Sequence, residues 1–325
     1  MTGKVTQPKK KLMLLSGRAH PELAEEVADY LGVGLSPVTA RDFANGEIYT
    51  RFVESVRGAD VFLMQSHTAP INHWIMEQLL MVDAAKRASA KRITVVVPFY
   101  GYARQDKKHR GREPISARLM ADMFKTAGAD RLMAVDLHTA QIQGFFDGPV
   151  DHLWALPVLA DYVKANADTS SLTVVSPDAG RVRVADVWTD RIGAELAIIH
   201  KRRDPNVPNE VEVHEVVGDV EGRTCLLVDD MIDTGGTIVR AADALFANGA
   251  ADVMVAATHA VLSGPAVDRL KNSRISEVVV TNSLPIPPER QFDTLRVLSI
   301  APLIARAVLE VFEDGSVTSL FDGNA

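Results

Sequence analysis

The sequence predicts an α/β protein of two similar halves, each a mainly parallel sheet flanked by helices. Three observations carry that expectation. Apolar runs of buried-strand length alternate with runs of helical spacing along all 325 residues, as in a parallel sheet covered by helices. Two distant segments repeat one another: VRGADVFLMQS, a helix and AKRITVVVPF parallel VEGRTCLLVDD, a helix and AADVMVAATH. Strand-like runs also end abruptly in charged or glycine-rich turns, where open α/β sheets carry their binding loops.

The length suggests about two domains, with expected bounds of 1–150 and 151–312 and a tail, 313–325, packed back on the first. Hydrophobic residues make up 47% and charged residues 24%, enough apolar content for sizeable cores. A net charge of -7, from 35 basic and 42 acidic residues, offers no attraction to nucleic acid. The single cysteine, Cys225, excludes an internal disulfide framework and lies in an apolar run as a small core residue. The apolar run 12–15 behind the basic N-terminus is too short for a signal-peptide core, and no stretch approaches the roughly 20 apolar residues of a membrane span. A cytoplasmic protein without membrane contact is expected.

In chain order, a strand within 11–17, ending in a turn, precedes a helix at 21–31 with Leu23, Val27 and Leu31 on one face. Asn45-Gly46 sits between β-forming runs in 41–52, a hairpin signal. A strand, a helix at 72–88 and a strand ending near Phe99 follow. The basic segment 102–118, leaving that strand's carboxyl end, suits a polyphosphate. A helix to residue 127 and a strand at 131–137 lead to His138. The strand at 173–176 ends near Asp178, and these two strand ends could share one divalent ion. A helix at 183–192 and a strand at 195–199 lead to 200–209, where two prolines, two asparagines and a basic cluster predict a mobile loop able to close over a charged ligand.

The most informative stretch is 225–237. An apolar strand, 226–228, ends in Asp229 and Asp230, so a binding loop is expected to begin at Asp229. Asp233-Thr234-Gly235-Gly236-Thr237 offers two glycines free for positive φ, so backbone N–H groups can converge at a helix start as a phosphate cradle. The two carboxylates cannot hold phosphate and are expected to take the hydroxyls of its sugar. Strands at 253–257 and 277–281, a helix at 300–312 and a docked polar turn at 314–321 complete the chain.

The order of strand, two acids, Asp-Thr-Gly-Gly-Thr and helix resembles the phosphoribosyl pyrophosphate motif of phosphoribosyltransferase-type folds. FANGE at 43–47, YARQDKK at 102–108, VDLHTAQIQGFFDGPVDH at 135–152, SPDAG at 176–180, the 201–203 loop and VDDMIDTGGT at 228–237 together resemble the ribose-phosphate pyrophosphokinase family, class I type, over residues 11–321. Gly101, where relatives often carry proline, departs from the pattern. The resemblance implies two phosphoribosyltransferase-type domains and transfer of the β,γ-diphosphoryl group of ATP to the 1-hydroxyl of ribose 5-phosphate, with Mg2+, for nucleotide, histidine and tryptophan biosynthesis. It implies that Asp233, Thr234, Gly235, Gly236 and Thr237 hold the 5-phosphate and Asp229 and Asp230 the ribose. Arg104, Gln105, Asp106 and His138 would address ATP, with Phe43, Asn45 and Glu47 contributed by a neighbouring subunit. His138 and Asp178 would hold the metal, and Lys201 and Arg203 would be the cations of a catalytic loop. A homohexamer is implied, activated by phosphate and inhibited by ADP at a site matching Ser55, Arg57, Gln143, Ser316 and Thr318. The alternatives are a phosphoribosyltransferase, which leaves the first half unexplained, and a non-catalytic regulatory relative, in which loss of catalytic residues is expected.

Overall fold

A computed structural model of the chain describes residues 10–202 and 213–321. They divide into two compact units, one running to Leu153 and resuming at Ala301, the other spanning Trp154–Ile300.

The first unit contains β1 (Leu12–Ser16), α1 (Pro21–Leu31), β2 (Val38–Asp42), β3 (Ile48–Phe52), β4 (Asp60–Met64), α2 (Ile71–Arg87), β5 (Arg92–Val97), α3 (Ser116–Ala127), β6 (Arg131–Val135) and β7 (Val150–Leu153). Its sheet has the order β1-β4-β5-β6-β7 and is parallel throughout. Helices cover such a sheet on both faces, so its strands read as continuous apolar runs, and β4 is buried at every residue. In α1, Pro21 opens the helix, Gly32 closes it at φ 65°, and Leu23, Ala24, Val27 and Ala28 form the buried stripe. The hairpin β2–β3 stands as a separate two-stranded sheet.

The second unit contains α4 (Leu156–Asn166), β8 (Leu172–Ser176), α5 (Val182–Ile192), β9 (Glu195–Arg202), β10 (Val213–Val217), β11 (Thr224–Ile232), α6 (Gly236–Ala247), β12 (Asp252–Ala260), α7 (Ala266–Lys271), β13 (Glu277–Thr281) and β14 (Leu295–Leu298). Its sheet runs β10-β9-β8-β11-β12-β13-β14, with only β10 antiparallel. The repeat is visible in the topology. In each unit a first strand (β1 or β8) and a helix are followed by an antiparallel pair (β2–β3 or β9–β10), then by a strand, helix and strand beside the first strand.

Several expectations need correction. The helix α8 (Ala301–Phe312), placed above with the second half, belongs to the first unit, where it packs against α1 and buries Leu303, Ile304, Ala307, Val308 and Val311. Beyond it Asp314 pairs with Lys10 and, at 2.5 Å, with Arg92, whose guanidinium also forks the buried Asp60 at 2.9 and 2.5 Å. The strand expected to stop at Ile199 continues to Arg202, because β10 supplies a ladder in which His200 faces Glu215 and Lys201 faces His214. Likewise β11 runs on through Asp229 and Asp230 to Ile232, since β12 extends to Ala260 beside it. The elements β7, α4, β10, α7 and β14 carried no sequence signal strong enough to place them.

The root of the basic loop is held by a buried histidine. Gly101 N–H donates to His67 Nδ1 at 3.0 Å, so Nε2 carries the ring proton and donates to Gln78 Oε1 at 2.9 Å. A proline at 101 would lack that donor. The His67 ring stacks on Phe124, with centroids 5.9 Å apart, and burial pushes its pKa down to about 4. The unfolded chain therefore takes up a proton between pH 6.5 and 4 that the folded chain refuses, so stability falls as pH drops through that window. His67→Gln should flatten this acid limb by about 3 kcal/mol in urea denaturation at a series of pH values. Superimposable limbs for both proteins would exclude a neutral buried His67.

Candidate active site

In the second unit, site residues gather at the carboxyl ends of β8 and β11. Past β8, Asp178 Oδ1 accepts the Gly180 N–H at 2.8 Å and caps the short 3-10 turn Ala179–Arg181. The turn delivers Arg181 to the two acids of β11. Its Nη2 donates to Asp230 Oδ1 at 2.6 Å, and its Nε lies 3.3 Å from Asp229 Oδ1. Asp229 Oδ1 also accepts the Asp230 N–H at 2.8 Å. The three side chains are only 15%, 17% and 7% exposed for Arg181, Asp229 and Asp230. Burial, followed by the charge and hydrogen bonding of Asp230, pushes the Asp229 carboxyl well above the usual carboxylate range, against the pull of Arg181.

Because β11 continues to Ile232, the loop begins at Asp233 and not at Asp229. Leu262 N–H donates to Ile232 O at 3.0 Å and Ser263 N–H to Asp233 O at 2.8 Å, which pins the loop's entry to the segment after β12. Thr234 is exposed and Thr237 half-buried. Of the two glycines only Gly235 takes positive φ, at 72°, as the N-cap of α6; Gly236 is already the first helical residue. A Cβ there would stand 3.2 Å from Arg269 Nη1 and 3.3 Å from Arg240 Nη1. The loop thus sits at the N-terminus of a twelve-residue helix, where free amides and the helix dipole favour an anion.

In the first unit, Phe43, Asn45 and Glu47 occupy the exposed tip of the β2–β3 hairpin. Asn45 Oδ1 accepts the Glu47 N–H at 3.2 Å, and the Arg41 guanidinium lies over the Phe43 and Tyr49 rings. Arg18 bridges Asp42 of the hairpin to Glu77 of α2, both at 2.6 Å. In the loop after β5, Arg104 is exposed, while Gln105 Oε1 accepts from Ser116 Oγ at 2.6 Å at the start of α3. Asp106 is buried, and its Oδ2 accepts from Thr139 Oγ1 at 2.7 Å and Gln141 Nε2 at 2.6 Å. It ties this loop to the turn that follows the half-buried His138.

Ser55 and Arg57 are exposed after β3, and Lys11 Nζ reaches Ser55 O at 3.4 Å. Gln143 Nε2 lies 3.2 Å from His152 Nδ1, and the Ser316 and Thr318 hydroxyls are 2.8 Å apart. His138 belongs to the first unit and Asp178 to the second. Lys201 stands in the β9 backbone, and Arg203 lies outside the described residues. Among the described residues no three His, Cys, Asp or Glu side chains gather as a metal cluster, and no helix is long and apolar enough to cross a membrane. Arg181, Arg240 and Arg269 went unnoticed in the sequence. For Arg181 a signal existed: two neighbouring acids at the end of an apolar strand call for a cation nearby.

Comparison with known proteins gives the family. Residues 12–128 match the N-terminal domain of ribose phosphate pyrophosphokinase, and residues 203–322 the phosphoribosyl synthetase-associated domain. The chain is 76% identical to the ribose-phosphate pyrophosphokinase of Streptomyces coelicolor over 322 residues, 99% of each chain. It is 62% identical to that of Mycobacterium tuberculosis over 98% of each. The crystal structure of phosphoribosylpyrophosphate synthetase from Mycobacterium smegmatis, 60% identical, superposes with a TM-score of 0.90 and covers 94% of this chain and 100% of that one. The chain therefore belongs to the ribose-phosphate pyrophosphokinase family.

Proposed function

We propose that the protein is a ribose-phosphate diphosphokinase, transferring the β,γ-diphosphoryl group of ATP to the 1-hydroxyl of ribose 5-phosphate. The observation that carries this reading is the run of β11, which brings two largely shielded carboxylates and, three residues later, a helix-capping Gly loop to the carboxyl end of one strand in a member of the family. The loop from Asp233 to Thr237 takes the 5-phosphate on its backbone amides and on the Thr234 and Thr237 hydroxyls, and Asp229 and Asp230 accept hydrogen bonds from the ribose hydroxyls. As the bond from O1 to the β-phosphorus forms, the bond from that phosphorus to the α,β-bridging oxygen breaks, and AMP leaves. Positioning and charge stabilisation are what such a transfer needs, without a covalent enzyme intermediate.

Arg104, Gln105, Asp106 and His138 address ATP, and Asp106 also ties their loop to Thr139 and Gln141. Phe43, Asn45 and Glu47 receive the adenine nucleoside across a subunit contact of a homohexamer, and Lys201 and Arg203 supply cations to the developing charge. Magnesium, as an ion held mainly by phosphates and water, fits the hard carboxylate oxygen that Asp178 Oδ2 offers beyond the one given to Gly180, and His138 is the further ligand that the family resemblance implies. When bound, the ion supplies neutralisation and alignment of the transferring phosphates. Ser55, Arg57, Gln143, Ser316 and Thr318 form the phosphate and ADP regulatory site of this reading, and the cytoplasm is its setting.

Purified protein quenched after incubation with ATP, ribose 5-phosphate and magnesium should yield AMP in step with phosphoribosyl pyrophosphate, and only when the sugar is present. ADP in its place would mean a simple kinase and overturn the proposal. For the site, Thr237→Ala should raise KM for ribose 5-phosphate about tenfold with KM for ATP within about twofold, the loss of one hydroxyl hydrogen bond to the charged phosphate. Equal changes in both constants would contradict this assignment of the loop.

A further inference from the structure

We propose that Arg181 is a positioning residue for the ribose-binding acid pair, the group that turns two consecutive strand residues toward one ligand. The inference rests on the reading of Asp229 and Asp230 given above and extends it to a residue outside the family motifs already considered. Successive side chains of a β-strand point to opposite faces, so neighbouring carboxylates at 229 and 230 do not by default converge on one sugar. Here both Oδ1 atoms approach one guanidinium, at 3.3 Å from Nε and 2.6 Å from Nη2. The planar fork of arginine matches two acceptors at once, which the point charge of lysine does not. The Oδ1 atoms are engaged by Arg181 and, for Asp229, also by the Asp230 N–H.

The origin of the fork is itself fixed. Arg181 follows the turn that Asp178 caps, and its own N–H donates to Asp178 O at 3.2 Å. A rigid turn from β8 therefore holds the acids of β11, its parallel neighbour in the sheet. Two adjacent carboxylates this buried would repel one another without a cation, and removing the partner of a buried charge is costly. A purely structural arginine would share that cost, so stability alone does not identify its role.

The test compares wild type, Arg181→Gln and Arg181→Lys by steady-state kinetics and by calorimetric titration with ribose 5-phosphate alone. AMP formation by the wild type establishes the underlying activity first; its failure overturns that reading and this inference together. With an active wild type, Arg181→Gln should raise KM for ribose 5-phosphate and its calorimetric Kd at least tenfold while KM for ATP stays within twofold. Arg181→Lys, which keeps the charge and loses the fork, should fall between the two and carries the test if the glutamine variant does not fold. Unchanged ribose 5-phosphate affinity in the variants, equal shifts for both substrates, or a lysine variant equal to wild type would each overturn the assignment.

Discussion

The second unit is organised by the burial of two adjacent carboxylates at the end of an apolar strand. Burying a charge costs several kcal/mol unless it is paired and hydrogen-bonded. The chain meets that cost locally. Asp229 takes a backbone N–H from Asp230, and Arg181 comes over from the neighbouring strand end to both acids. Much of the surrounding architecture follows from that pairing. The strands β8 and β11 must be neighbours, the Asp178 turn must hold its shape, and the loop at Asp233 must leave the sheet where the strand stops.

The two units solve different problems with one topology. Each places an antiparallel pair between its first strand and helix and the next strand of its sheet. In the first unit that pair is the separate β2–β3 hairpin, tied to α2 through Arg18 and carrying an exposed aromatic tip. In the second it is β9–β10, which joins the main sheet as its edge. The first unit also has no glycine loop after β4. Its strand ends are occupied instead by the buried set of Gln65, Glu77, His67 and Gln78, which fixes loop roots. A duplicated scaffold can thus carry a helix-capping glycine loop at a strand end of one copy and a basic loop at a strand end of the other.

Much of this was legible in the sequence, because periodicity and caps are local signals. The helix at 21–31, the Asn-Gly hairpin and the repeat of strand, helix and strand were read from a few residues each. What escaped depends on partners distant in sequence. The lengths of β9 and β11 were underread, since β10 and β12 extend them by pairing and not by their own composition. The unit membership of α8 follows from its packing against α1, which its own amphipathic pattern does not specify. At the site, the acids and the glycine loop stood out as a contiguous motif. Arg181 did not, although it contacts both acids, because it lies 49 residues from Asp230 along the chain. Gly236, expected to be free for positive φ, instead opens α6 as its first helical residue.

The central claim is that one strand end grips the sugar and the adjoining helix start grips its phosphate. A crystal structure of the protein soaked with ribose 5-phosphate tests it most directly. The account predicts the phosphate on the backbone amides of residues 234–237 and the ribose hydroxyls within hydrogen-bond distance of Asp229 and Asp230. A phosphate bound away from that loop, or a ribose turned away from both carboxylates, would contradict it.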